Sequence, residues 1–126
     1  GPRYYPADQA TDQHERFMAA ELIREQILYQ TNQEVPHGVA VVVEEFKERR
    51  PGLTYIGAVV YVERETHKGI IIGNRGERLK QIGQRARREI EQLLGGSVYL
   101  DLWVKVRRHW REDERQLRDF GYAAQG

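Results

Sequence analysis

The feature that most constrains the fold of this chain is the segment 69–76, which reads Gly-Ile-Ile-Ile-Gly-Asn-Arg-Gly. Its last four residues place two glycines three positions apart, and glycine adopts backbone conformations that other residues reach only at a cost in free energy. The missing side chains also leave the main chain open to close approach by another molecule. A G-x-x-G segment alone is often an ordinary turn, so its meaning depends on the elements that flank it.

A basic amphipathic helix is predicted directly after the glycine loop, which we define as residues 73–76. Apolar residues recur there at helical spacing and form one stripe, made of Leu79, Ile82, Ala86, Ile90 and Leu93. Gly95-Gly96 ends this helix, because glycine readily takes the left-handed conformation of a C-terminal cap. A short apolar helix over 67–72 precedes the loop. The loop therefore joins two helices, and the dipole of the second favours an anion in the loop.

A first helix and two strands are predicted upstream. Residues 1–11 are expected to form an extended entry segment, and the capping-box spacing of Asp12 and Glu15 predicts a helix from there to about Gln30. Runs rich in β-branched and aromatic residues then predict two antiparallel strands, over 39–46 and 54–64, joined by a turn at Arg50-Pro51-Gly52. In the second strand one face is expected to enter the core, formed by Ile56, Ala58, Val60 and Val62.

A third strand is predicted over 98–106, where the alternation of apolar and polar residues is the cleanest in the chain. A terminal helix is predicted at about 109–122, with Leu117 and Phe120 docking on the body. The two tryptophans, Trp103 and Trp110, could stack on bases, but packing under a neighbouring helix is the more common role of such side chains. The element order is thus α-β-β-α-α-β followed by a C-terminal helix.

The positive charge of the chain is concentrated around the glycine loop. Residues 64–88 contain eight basic and two acidic side chains, a net charge of +6, whereas residues 1–50 contain six basic and nine acidic side chains, a net charge of −3. A local basic patch attracts phosphate-rich partners, because neutralised phosphates release their counterions. A solvated helix face is the alternative for a charge run of this kind. The loop beside the run favours the phosphate-binding interpretation.

Composition excludes several other classes of function. A length of 126 residues suits one domain, and the absence of cysteine excludes disulfides and thiolate metal sites. The four histidines lack paired ligand spacing, so neither a metal site nor a cofactor is expected. No Walker A or dinucleotide-binding motif is present, and no acid–base pair stands out, so the chain is not expected to be an enzyme. A cytoplasmic location is expected, since no apolar run is long enough to cross a membrane.

The loop and its neighbours together predict a groove for single-stranded nucleic acid. Main-chain amides and the mobile cation Arg75 would face the phosphates. The apolar residues Ile70, Ile71 and Ile72, with the second strand opposite, are expected to form one wall of a shallow groove where unstacked bases lie. The strand–strand–helix–loop–helix–strand order around this loop resembles a type II KH domain. The resemblance implies an α+β fold with a three-stranded mixed sheet and helices packed on one face.

Longer stretches of the chain resemble one family of KH domains in particular. The runs 62–73, 79–83 and 100–106, together with both ends of the chain, look like the C-terminal domain of the Era family, bacterial GTPases of ribosome assembly. The resemblance covers nearly the whole chain and is looser over 30–55. Where the family commonly has Gln-Lys-Gly-Ile-Ile-Ile-Gly, this sequence has His67 in place of the glutamine.

The resemblance implies an RNA-binding domain that recognises the single-stranded 3′ end of small-subunit (16S) ribosomal RNA during assembly of the 30S subunit. Residues 1–11 would then be a linker remnant from an upstream GTPase domain, and residues 12–126 the KH domain. That GTPase domain is an expected partner, and peripheral association of the parent protein with membranes is a further expectation. The expected RNA-binding residues are Lys68, Gly69, Ile70, Ile71, Ile72, Gly73, Asn74, Arg75, Gly76, Arg78, Lys80 and Arg87.

Two further interpretations stay open at this point. The chain could be a protein-interaction domain in which the sheet face or the terminal helix docks a partner and the loop is merely a turn. It could also regulate the GTPase without touching RNA. Arg85 and Arg88 share a flank of the basic helix and are expected to face solvent or a second RNA helix instead of the groove.

Overall fold

The computed structural model describes residues 6–32, 34–35 and 38–108, with side chains from residue 12 onward. Its elements, in chain order, are α1 (Pro6–Gln30), β1 (Val39–Arg50), β2 (Leu53–Val62), α2 (Glu65–Ile72), a 3₁₀ turn (Asn74–Gly76), α3 (Glu77–Leu94) and β3 (Ser97–Val106). No helix in this described part is long and apolar enough to cross a membrane. The predicted helix at 109–122 lies outside the described residues.

The three strands form one mixed sheet in the order β1-β2-β3. β1 and β2 are an antiparallel hairpin, and Gly52, at a φ of 82°, supplies the positive backbone angle of its tight turn. β3 pairs in parallel with β2, from Leu53 opposite Ser97 to Val62 opposite Val106. A parallel pair needs a long crossover, which α2 and α3 provide. This arrangement confirms the predicted α+β class and its mixed sheet.

The core lies between one face of the sheet and the helices. β2 contributes the four residues predicted for it, Ile56, Ala58, Val60 and Val62, each with no exposed surface. α1 adds Ala19, Ile23 and Ile27, and α3 adds Ile82, Ala86 and Ile90, also fully buried. Burial of each valine or isoleucine side chain contributes about 1.5–3 kcal/mol, so this layer is a major source of stability. The helices pack on the core face, as predicted.

The start of α1 differs from the prediction. The helix begins at Pro6, where a proline suits the first turn because its missing N–H has no intrahelical partner there. Asp12 therefore lies inside the helix, and its carboxylate accepts a 3.2 Å bond from the guanidinium of Arg16 one turn later. The capping-box interpretation of Asp12 and Glu15 was wrong, because the helix begins at Pro6 and Asp12 is not its N-terminal cap. The predicted entry segment 1–11 is helical from Pro6 onward.

Candidate nucleic-acid interface

The glycine loop reverses the chain between α2 and α3 through backbone angles that are rare for ordinary residues. Gly73 has φ 75° and ψ −178°, Gly76 has φ 75° and ψ 9°, and Arg75 takes φ 56° and ψ 27°. The N–H of Gly73 donates to the carbonyl of Gly69 at 2.9 Å and closes α2. The exposed Asn74 and Arg75 are thus held at the tip of a sharp turn, next to the N-terminal amides of α3.

The two glycines of the loop are required for different reasons. A Cβ atom at Gly73 would lie 2.7 Å from the Cβ of Arg78, closer than real side chains approach. A Cβ atom at Gly76 would meet nothing within 4 Å, so only its backbone angle calls for glycine. Gly73 therefore allows α2 and α3 to pack closely, whereas Gly76 leaves open space on the side of the loop where a ligand could approach.

Arg78, one of the predicted RNA-binding residues, has an intramolecular role. Its Nη1 donates a 2.7 Å hydrogen bond to the carbonyl of Ile70, near the C-terminal end of α2. A cationic side chain at a helix C-terminus satisfies a carbonyl that lacks an intrahelical partner and interacts favourably with the helix dipole. Arg78 thus holds the two helices on either side of the loop. Its proposed contact with RNA stays a prediction.

An open groove of about 390 Å³ begins at the loop and runs between α3 and the edge strand β3. Its lining residues are Gly76, Leu79, Lys80, Gly83, Gln84, Arg87, Leu100 and Leu102. The apolar floor comes from the leucines and the rim from the polar and basic side chains. The groove thus connects the glycine loop to an aliphatic surface.

The predicted wall of this groove was wrong in one respect. β2 is the central strand, and its core-facing residues are buried under the helices, so the second strand cannot line an open groove. Ile71 has no exposed surface and supports the loop from behind. Ile70 and Ile72 are partly buried against the core, and the predicted contacts of these three isoleucines with RNA stay predictions. Leu100 and Leu102 of β3 take the place expected for β2.

Gly83 is a groove residue that sequence reasoning missed. It lies one helical turn from Leu79 and from Arg87, and a Cβ atom on it would be 3.7 Å from Cδ1 of Leu102. A glycine in the middle of a strongly predicted helix is unfavourable for the helix and usually has a packing or functional reason. That signal, with its spacing to Leu79, could have identified the face of α3 that borders the groove.

Two basic side chains that were predicted to bind RNA lie at the groove, Lys80 and Arg87. Arg87 Nη1 donates to Oε2 of Glu91 at 3.1 Å, and the same oxygen accepts the N–H of Val98 at 2.9 Å. Glu91 therefore orients Arg87 and ties the end of α3 to the start of β3. Arg85, by contrast, is exposed away from the groove lining, as predicted.

Other predicted site residues lie on α2. Lys68 is half-buried and Gly69 is exposed, with open space around the position of a Cβ atom. His67 lies beside Gly38, and its Nδ1 is buried without a hydrogen-bond partner among the described residues. Within that part of the chain, no three acidic, histidine or cysteine side chains are grouped as metal ligands would be.

The chain is similar to known proteins that contain a KH domain. The sequence profile of the KH domain matches residues 34–111. The chain is 61% identical over 123 residues to GTPase Era of Carboxydothermus hydrogenoformans and 57% identical over 122 residues to GTPase Era of Geotalea uraniireducens. Each alignment covers 97% of this chain and 41% of the relative, so the chain spans about two fifths of the length of these proteins.

Two solved structures are similar to the chain, each with a TM-score of 0.76 and 47% sequence identity, over 85% of this chain and 36% of the other. One is a variant of Era from Aquifex aeolicus bound to GDP and aluminium fluoride. The other is Era in complex with MgGDPNP and nucleotides 1506–1542 of 16S ribosomal RNA. The chain therefore belongs to the KH-domain family, and its predicted resemblance to the C-terminal KH domain of Era GTPases is confirmed.

Proposed function

We propose that this chain binds the single-stranded 3′ end of small-subunit ribosomal RNA, as the RNA-binding part of an Era-type GTPase in assembly of the 30S subunit. The main observation in support of this proposal is that the glycine loop is continuous with the groove along β3. The loop offers amides and Arg75 to phosphates, and the aliphatic floor suits the faces of unstacked bases. The similar Era structure that contains 16S ribosomal RNA nucleotides supports this choice of RNA.

The groove favours a single strand over a duplex. Its floor consists of Leu79, Leu100 and Leu102 between a helix and a strand edge, which leaves room for individual bases. An RNA duplex hides its bases in the stack and presents phosphates and 2′-hydroxyls, which an aliphatic floor cannot satisfy. Lys80 and Arg87 on the rim would follow the sugar–phosphate backbone.

The test compares two double variants that make the same change in charge. Asn74→Asp with Arg75→Asp alters the loop tip, and Gln81→Asp with Arg85→Asp alters the exposed flank of α3 away from the groove. Binding to a short RNA copying the 3′ end of 16S ribosomal RNA is measured at two salt concentrations. The loop variant should lose binding while its melting temperature is nearly unchanged, because aspartate tolerates the left-handed angle of residue 75.

The control variant should retain most of its affinity. Wild-type affinity should fall with salt, with a logarithmic slope of about −0.7 for each phosphate neutralised on a single strand. Equal losses in the two variants would show that binding is diffuse attraction to the basic helix. Absence of binding by the wild type, or equal binding of a hairpin duplex, would overturn the proposal and favour a protein-interaction or regulatory role.

A further inference from the structure

The face of the sheet turned away from the helices carries a row of aromatic rings that RNA binding in the groove leaves unused. We call it the outer face. Its residues follow from the strand register and are Ala40, Val42, Glu45, Lys47, Tyr55, Gly57, Val59, Tyr61, Tyr99, Asp101, Trp103 and Lys105. The core cluster of the described residues lies on the opposite face of the sheet. Tyr99 is 58% exposed and Trp103 is 47% exposed.

The rings of the outer face are held in place by specific contacts. Tyr55 and Tyr99 stack with their centroids 5.9 Å apart and an angle of 24° between their planes. The hydroxyl of Tyr55 donates a 2.8 Å hydrogen bond to Oδ2 of Asp101. Trp103 lies against Gly57, where an added Cβ atom would come within 3.3 Å of its Cζ3. These constraints order the rings before any ligand binds and leave ring surface exposed.

Four cationic side chains flank the rings, and the carboxylates of Asp101 and Glu45 lie on the same face. The guanidinium of Arg49 lies 4.3 Å from the centroid of the Tyr55 ring, and that of Arg107 lies 5.4 Å from the centroid of Tyr61. Lys47 and Lys105 are exposed next to these rings in the register of the sheet. Aromatic faces between cations are the recurring means by which proteins bind single-stranded nucleic acid, since bases stack on the rings and cations meet the phosphates.

The outer face suits a nucleic acid better than a packed helix. Its central aliphatic side chain, Val59, is only 1% exposed, and its cross-strand neighbour Val42 is 36% exposed, so most of the accessible apolar surface of this face comes from the rings of Tyr99 and Trp103. β3 also connects this face to the groove. Leu100 and Leu102 of this edge strand border the groove, whereas Tyr99 and Trp103, which alternate with them, project from the other side.

We propose that the outer face is a second binding surface for single-stranded RNA, on which bases that leave the groove over the edge of β3 stack against Trp103 and Tyr99. The inference rests on the proposed function, because the strand must first be held in the groove. A KH groove holds about four nucleotides, so a longer strand is needed to reach the outer face. Recognition here is by stacking and charge, and it should depend on length more than on base sequence.

The test measures the affinity of two RNAs, one just long enough to fill the groove and one extended at both ends. The longer RNA should bind the wild type about fivefold to 150-fold more tightly for each base that stacks. Trp103→Leu and Tyr99→Leu should remove this gain without changing the affinity of the short RNA. Tyr29→Leu is the matched control, because Tyr29 is a 69% exposed aromatic residue on α1, and it should leave both affinities unchanged.

Each other outcome has a definite meaning. Equal affinity of the wild type for the two RNAs, or a length-dependent gain that survives both outer-face substitutions, would overturn this inference alone. Failure of the wild type to bind the short RNA would refute the proposed function itself. A loss of affinity for the short RNA in Trp103→Leu would show that Trp103 acts on the groove or on the fold, and would also overturn the inference.

A second measurement needs no change on the outer face. In a Trp110→Phe variant, Trp103 is the single tryptophan of the chain. Its fluorescence should be open to quenching by acrylamide in the free protein and should become protected when the long RNA binds, but not the short one. A Trp103 that is already shielded in the free protein would mean that residues 109–126 or a second copy of the chain covers this face, and the inference would fail.

Discussion

The decrease in the free energy of unfolding caused by Gly73→Ala follows from the loop geometry. A residue other than glycine at φ 75° and ψ −178° stays in a backbone region that is almost exclusive to glycine, at a cost of about 1–3 kcal/mol. The new Cβ atom would also lie 2.7 Å from the Cβ and 3.1 Å from the backbone nitrogen of Arg78. Relief of that overlap requires α3 to move away from α2, and overpacking of this kind costs about 1–3 kcal/mol.

The summed loss of about 2–6 kcal/mol is large beside a total stability of about 5–15 kcal/mol for a domain. Gly76→Ala is the matched control, since it has nearly the same φ and open space around the new Cβ atom. It should lose only the left-handed penalty, about 1–2 kcal/mol. Urea unfolding followed by circular dichroism measures both, and the midpoint should fall at an unchanged slope. Equal losses in the two variants would refute the close packing inferred at Gly73.

Three further predictions concern contacts around the groove and the outer face. Arg78→Ala should lower the free energy of unfolding in urea by about 1.5–3 kcal/mol, since a charged hydrogen bond to the end of α2 disappears. An unchanged urea midpoint would contradict the structural role of Arg78. Glu91→Ala should lose about 1–3 kcal/mol of unfolding free energy and bind RNA more weakly, because a β3 amide and Arg87 both lose their acceptor. Glu91→Gln should keep most of the stability, and equal losses in the two variants would contradict this role of Glu91. The hydrogen bond to Asp101 raises the pKa of the Tyr55 hydroxyl above its ordinary value of about 10, and Asp101→Asn should lower the midpoint of the Tyr55 titration at alkaline pH. Since folding favours the protonated phenol, the stabilisation from this bond is complete below about pH 10 and is lost as the pH rises through the folded pKa; a midpoint unaffected by Asp101→Asn would show that the bond is not formed in solution.

Local patterns in the sequence predicted the parts of the fold that depend on periodicity. The alternation in β2 identified its core face, because every second side chain of a strand points to the same side. The apolar stripe predicted on α3 is buried at its centre, from Ile82 to Ile90, but Leu93 at its end is 40% exposed. The glycine loop was placed correctly between two helices, since its glycines and the capping Gly95 mark turns that few other residues tolerate.

The features that depend on strand order or on one side chain's choice of partner could not be predicted in this way. Periodicity shows which face of a strand is buried, but it does not show whether the strand lies at the centre or the edge of a sheet. The groove wall was therefore assigned to β2 when it belongs to β3. The role of Arg78 depends on a single hydrogen bond to a carbonyl eight residues away, and the sequence shows only one basic residue among many.

The parallel pairing of β3 with β2 has a consequence for the order in which the molecule is built. The hairpin of β1 and β2 and the glycine loop can form from nearby residues, whereas β3 must return past α2 and α3 to reach its partner. Pairings between distant residues form late, because they must first overcome the entropy of closing a long loop. We therefore expect the loop to form before the groove does. Under the proposed function, a newly synthesised chain would hold phosphates only weakly at the loop. It would gain a surface for bases once its last described strand is in place, so tight RNA binding would report that folding is complete.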